Sequence, residues 1–203
     1  MNHMLTSENI GECTDFRHLS TIAGISVDLR YASPDNFVGR DLYSPFDCAW
    51  LHRDAAAALE KVVAWLAQQR PGCSALILDA LRPQRVQEEL WAALEGTGLQ
   101  MYLAEPARGS IHSFGMALDI TLLDENGHEL DMGTGFDDLT ERSQPGKEQE
   151  LLARGELTLD QVDHRQLLRD AMAQAGFVGI SSEWWHYDFG DRELVRRTFK
   201  RVM

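Results

Sequence analysis

The chain reads as an α+β protein, with a mixed, largely antiparallel sheet flanked by helices, and three observations predict this. Stretches with apolar residues at helical spacing interleave with short runs in which apolar residues alternate. The turns favour hairpins, with Gly, Asn and Asp where strands must reverse. The 203 residues are 44% hydrophobic and 25% charged, enough for one buried core, and no internal repeat or Pro/Gly/Ser linker divides them. Residues 1–203 are therefore expected to form a single domain.

Taken in order, ISVDLRYA (25–32) alternates and runs into the turn-rich SPDNFVGRD, which suggests a strand entering a structured loop. Asp54 to Arg70 is the clearest helix. Leu59, Val62, Val63 and Leu66 share a face, Ala55 to Ala58 have high helix propensity, and Pro71-Gly72 stops it. SALILD (74–79) is a buried strand, and Pro83 opens a second helix through Leu90, Trp91 and Leu94 that ends at Gly96. In GMALDITLLD (115–124), Met116, Leu118, Ile120 and Leu122 point one way while Ala117, Asp119 and Thr121 point the other. DENG makes a hairpin turn, and the polar, Gly-rich HELDMGTGFDDLTERSQPGKEQE is expected to be a long surface loop. Asp163 to Ala175 forms a third amphipathic helix with Gly176 just past its end, and FVGI and WWHYDF supply the last strands.

Net charge is −13, from 32 acidic and 19 basic residues, which repels phosphate backbones and anionic lipid. Nucleic acid and membrane are thus not expected as partners, and no obligatory protein partner is evident. The three cysteines, Cys13, Cys48 and Cys73, lack CxxC spacing, so free thiols in a reducing compartment are expected. MNHMLTSENIGECTDF shows neither the basic nor the apolar segment of a secretory leader, and a cytoplasmic location is the expectation.

Chemistry is concentrated in two distant stretches, SIHSFGMALDI (110–120) and SSEWWHY (181–187), each placing a His near a carboxylate. A catalytic zinc takes three protein ligands and keeps a fourth position for water, whose pKa falls to about 7. His112 and Asp119 could supply two ligands, His186 a third, and Glu183 could accept the water's proton. Each residue also has a plain reading, since the chain has 7 histidines and a His beside an acid is common by chance. In a regular strand Glu183 and His186, three apart, would face opposite sides. One metal served by both therefore requires Glu183 to lie in a loop ahead of the strand, which the turn-like GISS allows. Trp184 and Trp185 are explained by packing alone, and could also hold His186 in place.

The pattern SxHxxGxAxD (Ser110, His112, Gly115, Ala117, Asp119) followed by EWWHY (183–187) resembles the VanX-type D-alanyl-D-alanine dipeptidases. That zinc peptidase family belongs to a superfamily with the D,D-carboxypeptidases and the hedgehog signalling domain. DLRYASPDNFVG (28–39), DALRPQR (79–85), DMGTGFDDLTERS (131–143) and GFVGISSEWWHY (176–187) extend the likeness over most of the chain.

The resemblance implies a hedgehog/D,D-peptidase-like zinc fold, one Zn2+ held by His112, Asp119 and His186, and Glu183 as general base. It implies that Arg82 stabilises the oxyanion, with Asp79 orienting the guanidinium, unless Asp79 is an ordinary strand-end carboxylate. Tyr31, Ser110 and Asp137 match positions that hold the ends of a small dipeptide substrate, though a packed Tyr, a loop Ser and a solvated Asp read as well from the residues alone. Two positions depart from the pattern: Phe114 stands where family members carry Arg, and Ile111 replaces a small polar residue. Hydrolysis of D-Ala-D-Ala to two D-alanines is the expected activity. A D,D-carboxypeptidase trimming peptidoglycan stems, or a zinc-bearing binding module without catalysis, remain the alternatives.

Overall fold

The computed structural model describes residues 4–203; the first three residues of the N-terminal stretch read above for a leader lie outside the described residues. The strands are β1 (Phe16–His18), β2 (Ile25–Val27), β3 (Trp50–His52), β4 (Ser74–Asp79), β5 (Ala117–Leu123), β6 (Phe177–Gly179) and β7 (His186–Phe189). The helices are α1 (Arg53–Gln69), α2 (Gln84–Ala93), α3 (Glu148–Ala153), α4 (Leu159–Gln174) and α5 (Arg192–Thr198). β1 and β3 form a two-stranded antiparallel ladder, while a five-stranded sheet runs in the order β2-β4-β5-β7-β6. Only the β2–β4 pairing of that sheet is parallel, so the expected mixed, largely antiparallel sheet flanked by helices is what forms.

α1 buries Leu59, Val62 and Leu66 on its inner stripe, and its alanines let it lie close to α4. The His52 side chain accepts from the Asp54 N–H at 3.3 Å and caps its start. α4 begins one turn earlier than the apolar spacing suggested. Thr158 accepts from Gln161 N–H at 3.2 Å, and the Gln161 side chain accepts from Thr158 N–H at 2.9 Å, a capping box spelled T-x-x-Q. SALILD is β4 residue for residue. ISVDLRYA keeps strand geometry only over its first three residues and then tightens into a 3-10 turn at Arg30–Ala32.

β5 is the middle strand and is buried at every position. One face carries Ala75 and Ile77 of β4 with Leu118, Ile120 and Leu122, packed with Leu59, Val62 and Leu66 of α1 and Leu168 and Met172 of α4. The other carries Leu76, Leu78 and Leu123 beneath Phe136. The polar 128–150 segment is thus more than a surface loop: it turns over the second sheet face, buries Met132 and Ser143, and ends in α3. A register shift between Ile77 and Asp79 also matters for that face, because Ile77 pairs with Ile120 whereas Asp79 pairs with Asp119. The extra residue turns Asp79 off the helix-covered side and onto the side of Asp119, as bulges beside active sites do. Among the described residues, no helix is long and apolar enough to cross a membrane.

Candidate metal centre and active site

Cross-strand register places Asp79 opposite Asp119, and Asp119 opposite His186, so three adjacent strands offer one polar row. His112 joins this row from a 3-10 turn over Ile111–Phe114 that ends on Gly115 at φ 64°. Gly115 is required there: a Cβ would stand 2.6 Å from the backbone N of His52, and its carbonyl accepts from that same N–H at 2.8 Å. Glu183 precedes β7 and lies outside the strand, and it lines the same cavity as His186.

The candidate ligand atoms form a tight triangle. His112 Nε2 lies 3.1 Å from His186 Nδ1 and 3.3 Å from Asp119 Oδ1, and His186 Nδ1 lies 3.0 Å from Asp119 Oδ1. Metal bonds of about 2.0–2.1 Å put neighbouring ligands of a tetrahedron about 3.3 Å apart, so the triangle has the size of one tetrahedral face.

The donor chemistry fits as well. His112 Nδ1 lies 2.8 Å from the Ala80 carbonyl, which can only accept, so this nitrogen holds the proton and Nε2 presents a lone pair. His186 Nε2 lies 3.0 Å from Asp188 Oδ1, which likewise leaves Nδ1 facing the triangle. Two lone pairs and a carboxylate oxygen at these distances repel one another unless a cation sits among them. A proton can play that part. Burial works against charging His186, but Asp188 and Asp119 overcome it and raise its pKa to about 10. Burial works against ionising Asp119 too, and the two histidines overcome it, holding that carboxyl well below the usual range. Asp188 stays ionised by the same logic, held down to about 2 by His186 and Arg192 against burial.

Around the triangle, a cavity of ≈ 330 Å³ is lined by Tyr31, Arg82, Ser110, His112, Asp119, Asp137, Glu183 and His186, among others. Every residue anticipated for the site except Asp79 therefore faces one space, and Asp79 sits behind Arg82. Arg82 Nε donates to Asp79 Oδ2 at 2.8 Å, Nη1 to Gln87 Oε1 at 3.2 Å and Nη2 to Asp119 Oδ2 at 3.3 Å. Its guanidinium also stands 5.0 Å from the Tyr31 ring centroid. Asp79 is itself held by the Ala80 N–H at 2.9 Å and by the Tyr43 hydroxyl. A guanidinium has five N–H donors, so this clamp leaves one or more free to meet an oxygen in the cavity.

Glu183 is 9% exposed, and burial raises its pKa to about 7, with His186 and Arg82 pulling down and Asp119 and Asp188 pushing up. Among the described residues nothing hydrogen-bonds to it. Asp137 takes a left-handed backbone conformation (φ 59°), and its oxygens accept from the Tyr31 hydroxyl at 2.9 and 3.1 Å. Burial pushes its carboxyl well above the usual range, although the Tyr31 bond and Arg82 oppose this. A strained aspartate held at a cavity wall is the kind of outlier that functional sites accumulate. Ser110 starts the His112 turn with its hydroxyl unused as a cap.

Residues that sequence reasoning missed surround these. Gln87 steadies Arg82, Tyr43 steadies Asp79, and Asp188 steadies His186. The signal for Asp188 was present, since residues two apart on a strand share a face. Gln87 and Tyr43 come from elements whose approach no local pattern announces. Arg108, Arg192 and Arg196 form a basic stretch of the cavity wall. Of the two departures, Ile111 lines the cavity, whereas Phe114 is buried in the core beneath the Arg201 guanidinium, 5.4 Å from its ring.

Comparison with known proteins agrees with this geometry. The family profile described as D-ala-D-ala dipeptidase, peptidase M15, matches residues 13–203. The D-alanyl-D-alanine dipeptidase of Escherichia coli (strain K12) is 40% identical over 164 residues, 81% of this chain and 78% of that protein. The D-alanyl-D-alanine dipeptidase of Enterococcus faecium is 30% identical over 199 residues, 88% of this chain and 92% of that protein. The solved structure of the LdcB LD-carboxypeptidase superposes at a TM-score of 0.46 with 16% identity, over 97% of this chain and 73% of that one, too distant to bear on function. With the profile running through all of the candidate site, the chain belongs to the peptidase M15 family of D-Ala-D-Ala dipeptidases.

Proposed function

We propose that this chain is a single-domain zinc dipeptidase that hydrolyses D-Ala-D-Ala to two D-alanines. The observation that carries the reading is the ligand triangle of His112, Asp119 and His186 beside the buried carboxyl of Glu183, which has no hydrogen-bond partner among the described residues and lines the same cavity. One Zn2+ held by the three ligands would supply Lewis acidity, lowering the pKa of water and polarising the scissile carbonyl.

The chain's own residues do the rest. Glu183 takes the proton of the attacking water and later delivers it to the departing amine. Its carboxyl lines the same cavity as the three ligands, within a wall that excludes most bulk water, which suits a group that carries one proton between two partners. Arg82, immobilised by Asp79 and Gln87, offers a free N–H to the oxygen on which negative charge develops. Asp137, aimed by Tyr31, pairs with the substrate ammonium, whose positive charge favours the carboxylate that burial alone disfavours, and Ser110 donates to the opposite end. Reading the ammonium favours a free dipeptide over longer or N-acylated chains. The three cysteines are free, in keeping with a cytoplasmic location.

Glu183→Ala is expected to keep stoichiometric zinc and to lose turnover of D-Ala-D-Ala by about 10²–10⁴-fold. Zinc analysis paired with a D-alanine release assay reads both, and near wild-type turnover would remove Glu183 from its role. Running the same assay on an N-acetylated dipeptide and a stem pentapeptide separates the activities: preference for the longer substrates would make the chain a D,D-carboxypeptidase.

A further inference from the structure

Of the two histidines in the triangle, His112 is steadied by a neutral peptide carbonyl and His186 by a charge. The charge comes from its own strand. His186 and Asp188 share a face of β7, and Asp188 is clamped through the backbone on both sides, opposite Ala117 of β5 and Val178 of β6. Asp188 as a residue is 3% exposed, and each carboxylate oxygen has a separate task. Oδ1 lies 3.0 Å from His186 Nε2, and Oδ2 accepts from Arg192 Nε at 2.5 Å. Arg192 is placed by the chain immediately before it. Gly190 turns at φ 81°, and Asp191 caps α5 by accepting from the Leu194 N–H at 2.7 Å. A continuous line therefore runs from the cavity wall, where Arg192 lies, through Asp188 to the outer nitrogen of His186.

We infer that Asp188, held by Arg192, is a positioning residue for the metal centre: it keeps the His186 ring oriented, with its proton on Nε2 and Nδ1 turned to the cation. The inference rests on the zinc reading above. A carboxylate behind a ligating imidazole increases the ring's basicity as well as fixing its tautomer, and losing such a partner weakens metal binding by about 10–100-fold. A plain strand-to-helix tie between β7 and α5 would predict a loss of stability with no change in the metal site.

The test uses the full chain, stripped of metal and titrated with Zn2+ against a chromophoric chelator. Asp188→Ala is expected to weaken zinc binding by about 10–100-fold. Asp188→Asn, whose amide oxygen still accepts, should fall between it and the wild type. Arg192→Ala should show a smaller loss that Arg192→Lys partly recovers. In long-range 1H–15N spectra of the zinc-loaded protein, the His186 Nε2 proton should be protected from exchange in the wild type and lost to exchange in Asp188→Ala. Far-UV circular dichroism confirms that each variant folds, and the near-isosteric Asn variant carries the test if the Ala variant does not. Folded variants that bind zinc within two-fold of wild type and keep the Nε2 proton overturn the inference while leaving the zinc reading intact. A wild-type chain that takes up no Zn2+ sinks the zinc reading, and the positioning role with it.

Discussion

Glu183 combines deep burial with the lack of any hydrogen-bond partner among the described residues, and its pKa of about 7 has a thermodynamic consequence. A carboxyl whose pKa is raised by folding contributes stability fully below its unfolded value near 4.5, and that contribution is lost as pH climbs through about 7. Metal-free wild type should therefore weaken between these values, by an amount on the order of 3 kcal/mol. Glu183→Gln should be flatter over the same range, more stable than wild type at pH 8 and similar at pH 4.5. Thermal unfolding of chelator-treated protein at both pH values checks this, and equal pH profiles would refute it. Arg82 makes a different prediction. Lys in its place keeps a charge but not the fork that holds Asp79, Gln87 and Asp119 together, so Arg82→Lys should lower kcat about 10²–10³-fold and destabilise the fold measurably. Much at this scale was legible from the sequence. His112, Asp119, His186 and Glu183 suggested a centre through two short His–carboxylate stretches, each with a plain alternative, and the family resemblance, not spacing, pointed to Arg82 and Asp79; the structure gathers all of them except Asp79 around one cavity. Tyr43 and Gln87 had no such signal, because only the packed chain brings them to Asp79 and Arg82.

Long periodic segments were readable as elements and short ones were not. β4 and the course of α1 follow from composition and stop signals, whereas β1 and β3 span three residues each, too few to show alternation. α5 buries only Val195, so no apolar stripe marks it. The early start of α4 was written in Thr158 and Gln161, a cue that apolar spacing alone passes over. The register shift in β4 leaves no trace in SALILD, yet it decides which face Asp79 joins. Gly115 is where element geometry and chemistry meet. Gly115→Ala combines a left-handed φ with a Cβ pressed against the His52 backbone, and would push the His112 turn away from its partners. It is expected to lower Tm and to weaken zinc binding together, measured by calorimetry and chelator competition. A variant with wild-type zinc affinity would show that the turn tolerates the strain.

For the whole molecule, α+β class and a mostly antiparallel sheet could be anticipated from interleaved patterns and turn residues. The parallel β2–β4 pairing could not, because it depends on a connection that contains β3 and α1. Nor could the lid-like course of residues 128–150, whose polarity suits a loop but says nothing of where Phe136 and Asp137 land. If the centre holds zinc, the ion belongs to the folded state and not to the unfolded chain. A free concentration a thousand times Kd then adds about 4 kcal/mol of stability. Chelation should lower Tm by about 10 °C for a chain of this size, and added Zn2+ should restore it. An unchanged melting curve would show that the ligands close on nothing. The row of Asp79, Asp119 and His186 ties this to assembly, because each belongs to a different strand. Sliding β7 by a single residue would send the imidazole to the opposite side of the sheet, where α1 and α4 leave no room for it. An ion that can be grasped by one alignment alone would act as a proofreader of strand pairing, rewarding the correctly matched sheet and no other.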